Sequence, residues 1–174
     1  GMYCVPLAET VARDDLIQFN RDVKRAVPTG FSLHRDPACV LADFDMESRD
    51  WLQDKRKVER SMGTLGGGNH FIELDEDEDG CQYLVVHTGS RNMGKQTAEH
   101  HQALAQKTCT ADIPDELKYL VGDLSAEYLV DMHNCSAFRI RTASRLSRRL
   151  LSVREFDSTE TALPPCTTTS RKVA

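Results

Sequence analysis

Two stretches decide how this chain folds: residues 63–74, which read GTLGGGNHFIEL, and residues 82–94, which read QYLVVHTGSRNMG. The first joins a glycine-rich loop to an Asn-His pair and an apolar run. The second places a histidine at the end of an apolar run, followed by a small polar turn. Between them, residues 75–80 form a short acidic connection of the kind that closes a β-hairpin. If the two apolar runs pair across this turn, His70 and His87 lie near the same end of two strands. The sequence therefore predicts a two-histidine metal edge.

The glycine loop has chemistry of its own. Three adjacent glycines, residues 66–68, permit positive backbone angles and bring backbone N–H groups close to a phosphate. The loop lacks the Lys and Ser/Thr of a P-loop, so it is not that motif. A flexible turn before a strand is the simpler interpretation from composition alone.

Each histidine is weighed against a structural role. An imidazole is a favoured ligand for Mn²⁺ or Zn²⁺ when another group fixes its second nitrogen. An isolated histidine is more often structural, but His70 and His87 at matching strand ends favour a site. Glu73, three residues after His70, is suited either to accept hydrogen bonds from the N–H donors of a purine edge or to hold a neighbouring side chain. By contrast, His100, His101 and His133 are weaker candidates. His100 and His101 are predicted not to be ligands, because they lie in a polar helix and would point in different directions.

The turn after His87 carries candidate phosphate contacts. Ser90 and Arg91 lie in this turn, three and four residues after His87. An arginine side chain can bind a phosphate in a bidentate manner. The alternative is an ion pair between Arg91 and the acidic run at residues 75–79.

Composition indicates one domain, residues 1–156, followed by a disordered tail, residues 157–174, which is rich in Thr, Ser and Pro. The sequence contains neither 18 consecutive apolar residues nor a signal-peptide pattern, so we expect a cytoplasmic protein with no membrane partner. Six widely spaced cysteines without a CxxC pair are typical of free thiols.

The net charge of −5 does not indicate an unaided nucleic-acid binder. Arginines nevertheless crowd the segment 139–154. This basic segment is compatible with an RNA-binding face and with a solvated helix face, and the sequence leaves both open.

Helical periodicity and breakers complete the predicted fold. Thr10 and Ser125 are the expected N-caps of the first and last helices. Together with the hairpin, the helices predict an α+β fold, with a mixed or antiparallel sheet and packed helices. The predicted helices cover residues 10–27, 47–62, 93–107 and 125–151.

The two quoted stretches resemble the RtcB family, the GTP- and manganese-dependent RNA ligases that rejoin tRNA halves and other broken RNAs. The resemblance runs from the first residues to about residue 129. It implies an RtcB-like fold, with Mn²⁺ and GTP as cofactors. It also implies an RNA substrate, whose 3′-phosphate or 2′,3′-cyclic phosphate end is joined to a 5′-hydroxyl end. The metal ligands implied by the resemblance are His70 and His87, and the implied GTP-contacting residues are Asn69, His70, Phe71, Ile72 and Glu73.

The resemblance also implies that several site residues of the family have no counterpart here. The Asp and Cys ligands would precede residue 1, and the third metal histidine and the histidine that reacts with GTP would follow residue 174. We therefore assign no catalytic residue and expect the chain alone to be an inactive fragment. Its oligomeric state is left open. Two other functions also stay open: a non-catalytic module that binds nucleotide or RNA phosphate, and an unrelated metal-dependent phosphoesterase using His70, His87 and Glu73.

Overall fold

The predicted hairpin is present and forms most of a three-stranded antiparallel sheet. The structure, a computed structural model, describes residues 1–152, and the predicted disordered tail lies outside them. Strand β1 is Met2–Pro6, β2 is Phe71–Glu76 and β3 is Gln82–His87, in the spatial order β1-β3-β2. Both strand pairs are antiparallel, which confirms the α+β prediction.

The acidic connection closes the hairpin through one carboxylate. The side chain of Asp77 accepts hydrogen bonds from the backbone N–H groups of Asp79 and Cys81, at 3.1 and 2.8 Å. Gly80 supplies the left-handed backbone angle, with φ of 79°. An Asp side chain that bonds backbone two residues ahead is a common turn-forming device. The turn fixes the register that pairs Phe71 with His87.

The helices pack around this sheet and beside it. In the described part of the chain, no helix is long and apolar enough to span a membrane. The helices are α1 (Leu16–Ala26), α2 (Lys55–Ser61), α3 (Met93–Thr108) and α4 (Gly122–Ser152), with short 3₁₀ turns at Arg13–Asp15, Leu41–Phe44 and Asp115–Leu117.

Helix α4 joins two hydrophobic cores. Its middle, including Phe138, packs in a cluster with Phe44 and Met93, and the two phenylalanine rings lie 5.2 Å apart. Its later turns, including Leu146, pack against Leu84 and other residues of the sheet. At 31 residues the helix is long enough, about 46 Å, to serve both clusters.

Two predicted helices are shorter than expected. Helix α1 begins at Leu16 and not at residue 10, because the backbone N–H of Val11 donates to the Gln82 side chain at 2.7 Å and ties this segment to β3. Helix α2 begins at Lys55 and not at residue 47. Asp54 has a left-handed backbone, with φ of 51°, and a left-handed residue interrupts an α-helix.

The last helix starts earlier than predicted. Helix α4 begins at Gly122, three residues before the expected cap at Ser125. Asp123 lies in its first turn, where a carboxylate interacts favourably with the helix dipole. The third helix is close to its predicted bounds, since it ends at Thr108, one residue later.

Candidate functional site

The hairpin brings His70 and His87 together at one end of the sheet. His87 is the last residue of β3 and pairs with Phe71, the residue that follows His70. The two imidazole centroids lie 5.7 Å apart, with an angle of 55° between the ring planes. The ring of His87 also stacks on Phe71, at a centroid distance of 5.2 Å and an angle of 16°. Strand register therefore produces the histidine pair that the sequence predicts.

The glycine loop fixes the ring of His70. Its Nδ1 lies 2.9 Å from the backbone carbonyl of Leu65, and in the tautomer whose Nδ1–H donates to this oxygen the lone pair is on Nε2. A Cβ added at Gly89 would lie 3.2 Å from Nε2, which shows how closely the turn after His87 approaches this atom. This is the arrangement of a metal-ligating histidine whose second nitrogen is held by a carbonyl.

The charge state of His70 suits a ligand. Burial is the main cause that lowers its pKa, and the charge of Arg91 adds to the effect. The hydrogen bond to Leu65 acts in the opposite direction. A lowered pKa keeps the imidazole neutral at neutral pH, and only the neutral ring coordinates a metal.

Arg91 lies beside this histidine as a partly buried cation. Its Nη1 is 3.0 Å from the carbonyl oxygen of Leu65 and 3.2 Å from Nδ1 of His70, while its Nε is buried with no hydrogen-bond partner. Burial lowers its pKa. Within residues 1–152 no carboxylate pairs with Arg91. The alternative pairing with residues 75–79 is wrong, since the hairpin register puts that run at the opposite end of the strands.

The glycines let the loop pass closely over Arg91. Gly66 and Gly68 have φ of 81° and 78°, and a Cβ at Gly66 would overlap the Arg91 guanidinium. The loop borders a cleft of about 650 Å³ that Arg91 and Lys57 also line. A partly buried arginine with no acidic partner in residues 1–152, next to exposed glycine backbone, is an environment that suits a phosphate.

Of the residues predicted to contact GTP, Asn69 and His70 precede β2, and Phe71, Ile72 and Glu73 alternate between its two faces. The side chain of Ile72 packs against the core of the sheet, so only its backbone is available to a ligand. Asn69 and Glu73 are exposed, and Phe71 is half-buried against His87.

Two histidines do not make a complete protein-built metal site. Among the described residues, no group of three or more His, Cys, Asp or Glu side chains is placed to hold a metal ion. Glu73 therefore does not join His70 and His87 as a third ligand. This finding removes the structural basis of the phosphoesterase alternative. The two imidazoles fit the role of part of a ligand set for Mn²⁺, which accepts nitrogen and oxygen donors.

The other histidines weighed from the sequence lie on α3 and α4. Nε2 of the buried His101 lies 3.0 Å from Oδ2 of Asp131, whose Oδ1 accepts from Arg49 at 2.7 Å. His100 stacks on Trp51 at 4.7 Å, and His133 is exposed. These positions agree with the exclusion of His100 and His101 as ligands. The buried network itself was not predicted, because its members are 30 to 82 residues apart in sequence.

Sequence reasoning also missed one side of the cleft. Phe31 lies in a stretch without periodicity, yet it lines the cleft and is fully exposed. The one local signal is its place directly after the Pro28-Thr29-Gly30 breaker.

Comparison with known proteins gives a consistent result. A family model described as tRNA-splicing ligase RtcB matches residues 8–156. The chain is 44% identical over 127 residues to the RNA-splicing ligase RtcB1 of Escherichia coli (strain ATCC 25922), covering 62% of this chain and 31% of that protein. It is 35% identical over 121 residues to the tRNA-splicing ligase RtcB of Nanoarchaeum equitans, covering 58% of this chain and 25% of that protein. The matches thus span between a quarter and a third of these relatives.

Proposed function

The chain belongs to the RtcB family, and we propose that it carries part of the metal and phosphate site of an RNA ligase. The proposed reaction joins an RNA 3′-phosphate or 2′,3′-cyclic phosphate end to a 5′-hydroxyl end in the cytoplasm, with GTP and Mn²⁺ as cofactors. The observation that carries the proposal is the His70–His87 pair, in which Nδ1 of His70 is held by a carbonyl and Nε2 remains available.

We assign the metal to the two imidazoles. His70 and His87 would each contribute one nitrogen, and other donors must complete the coordination, because the described residues supply no third ligand. When bound, the ion supplies charge neutralisation for the phosphate groups that react, the usual role of a metal in phosphoryl transfer.

The chain's own residues would hold the phosphate and the nucleotide. Arg91 offers a positive charge with no carboxylate partner in the described part of the chain, and the glycine loop offers backbone N–H groups. We assign contacts with GTP to residues 69–73, where the exposed carboxylate of Glu73 is suited to accept hydrogen bonds from a purine edge.

A second function is favoured by one observation, the lack of a third protein ligand within residues 1–152. With only two imidazoles, the chain would act as a module that binds nucleotide or RNA phosphate without catalysing a reaction. Nucleotide binding that persists without metal and without turnover would distinguish this module from a ligase component.

The test measures Mn²⁺ binding through the loss of the free-ion EPR signal, with and without GTP. We expect saturable binding that GTP strengthens and that both His70→Ala and His87→Ala reduce at least tenfold. His133→Ala, at an exposed position on α4, is the matched control and should bind as the unaltered chain does. Absence of binding at millimolar Mn²⁺, or equal binding in all variants, would overturn the assignment.

A further inference from the structure

The cleft beside Arg91 has walls of different chemistry. Its volume of about 650 Å³ lies within the range typical of small-ligand sites. Its lining includes the apolar side chains of Phe31 and Leu33 and the cationic side chains of Lys57 and Arg91. Asp54 adds one carboxylate, and the backbone of Gly67 and Gly68 lines the cleft as well.

The position of Phe31 is fixed by the glycine loop. The backbone N–H of Gly30 donates to the carbonyl of Gly66 at 2.8 Å, and the N–H of Leu65 donates to the carbonyl of Pro28 at 3.0 Å. Thr29 and Gly66 form an isolated parallel bridge. The turn that carries Phe31 is therefore attached to the same loop whose Leu65 carbonyl holds His70.

The side chain of Phe31 packs against nothing in the described part of the chain. It is fully exposed, with a relative accessibility of 101%, even though two backbone hydrogen bonds hold the neighbouring backbone at the Thr29–Gly66 bridge. An aromatic ring held in water beside cations is the arrangement found where proteins bind single-stranded nucleic acids. There the ring stacks on a base and the cations contact the backbone.

We propose that Phe31 is a stacking platform for a base at the end of the RNA strand whose phosphate lies at Arg91. This inference rests on the proposed function. The shared chemistry is that of a nucleotide, namely a flat base and a phosphate, which either an RNA end or a free nucleotide supplies. The RNA end is favoured because the cleft is lined by Gly67 and Gly68 and by none of residues 69–73, the residues assigned to GTP, which continue along β2.

The test uses the whole chain and a short RNA that ends in 2-aminopurine and a 3′-phosphate. Stacking quenches the fluorescence of 2-aminopurine, and anisotropy of a 5′-labelled copy gives the affinity. We expect quenching with the unaltered chain. Phe31→Ala should lose the quenching and weaken RNA binding about tenfold, and Phe31→Trp should restore both. Tyr119→Ala removes another exposed aromatic ring and is the matched control.

The outcomes separate this inference from the proposed function. RNA binding and quenching that are equal in the unaltered chain and Phe31→Ala, or absent from both, would overturn the platform. A Phe31→Ala change that weakens GTP binding but not RNA binding would assign the cleft to the free nucleotide and overturn the RNA end. Mn²⁺ binding in Phe31→Ala should be unchanged, because Phe31 touches neither imidazole. The proposed metal site is therefore tested separately, by the Mn²⁺ binding experiment with the His70→Ala and His87→Ala variants.

Discussion

Two pairs of histidines lie in this chain, and their surroundings differ in one decisive respect. His70 and His87 lie at a strand end, half-buried, and no carboxylate within residues 1–152 is bonded to either ring. His101 is buried and bonded through Nε2 to Asp131, while its neighbour His100 stacks on Trp51. In the first pair Nε2 of His70 is available to a ligand. In the second pair both rings contact other side chains of the protein, Asp131 and Trp51.

The difference teaches how to separate a ligand from a structural histidine. Nε2 of the His101 ring is bonded to Asp131, and within residues 1–152 its second nitrogen, Nδ1, is buried with no hydrogen-bond partner. Asp131 is fully buried and also accepts from Arg49. Such a network is closed to ligands. At His70, by contrast, the carbonyl of Leu65 takes the buried nitrogen and the outer nitrogen faces the Gly89 turn.

The largest expected effect is a loss of stability when the network of Arg49, His101 and Asp131 is broken. Asp131→Ala leaves Arg49 and His101 without their shared acceptor, and breaking a buried charge network in this way costs about 3–5 kcal/mol of unfolding free energy. Urea denaturation measures this loss. Asp43→Ala breaks the exposed pair with Arg141 and should cost no more than about 1 kcal/mol. A loss of less than about 1 kcal/mol for Asp131→Ala would mean that the network is not structural.

An intermediate effect is expected on Mn²⁺ binding at the pair His70 and His87. Gly89→Ala places a methyl group 3.2 Å from Nε2 of His70, where a metal would bind. We expect Mn²⁺ affinity to fall about tenfold, as for other changes beside a metal ligand, while both imidazoles remain. Titration followed by EPR measures the affinity, and urea denaturation checks that the unfolding free energy stays within about 0.5 kcal/mol. Unchanged Mn²⁺ affinity would show that Nε2 is not the ligand atom.

The smallest effect is a pH dependence that both regions share. Burial and Arg91 lower the pKa of His70, and burial and His101 lower the pKa of His100. A lowered pKa means that the folded state binds the proton more weakly than the unfolded state. Stability is therefore present above the unfolded pKa, near about 6.5, and is lost as the pH falls through the lowered folded values. The unfolding free energy should be smaller at about pH 5 than at about pH 7.5.

Substitution assigns this pH dependence to individual rings. His70→Gln and His100→Gln should each reduce the difference between the two pH values, measured by urea denaturation. His133→Gln, at an exposed position, is the control. If neither variant reduces the difference, the burial of the two rings does not set the pH dependence.

Short-range patterns predicted the hairpin and the histidine pair well. Three features of the hairpin are local in the sequence: the apolar pattern, the acidic turn and the position of His87 at a strand end. The turn fixes the strand register, so these local features predict the pairing that the folded chain shows. Strand β3, Gln82–His87, lies within the second quoted stretch, and the bounds of α3 differ from the prediction by one residue. The same local patterns excluded the histidines of α3 as ligands.

Long-range contacts decided what these patterns missed. Residues 10–12 have helical character in sequence, but a hydrogen bond from Val11 to Gln82, 71 residues away, holds them outside α1. The Arg49–Asp131 pair spans 82 residues, and Phe31 reaches the cleft only through the contacts of its turn with the glycine loop. Periodicity within a short window contains no information about such partners.

The sequence by itself determined the family, the hairpin and which two histidines lie together at the strand ends. Each of these depends on residues that are close along the chain. Only the tertiary structure decided which nitrogen of His70 is held by Leu65, that Arg91 lies beside it with no carboxylate in residues 1–152, and that Phe31 borders the same cleft. These properties depend on burial and on distances between remote segments. Packing sets both, and a linear pattern does not encode them.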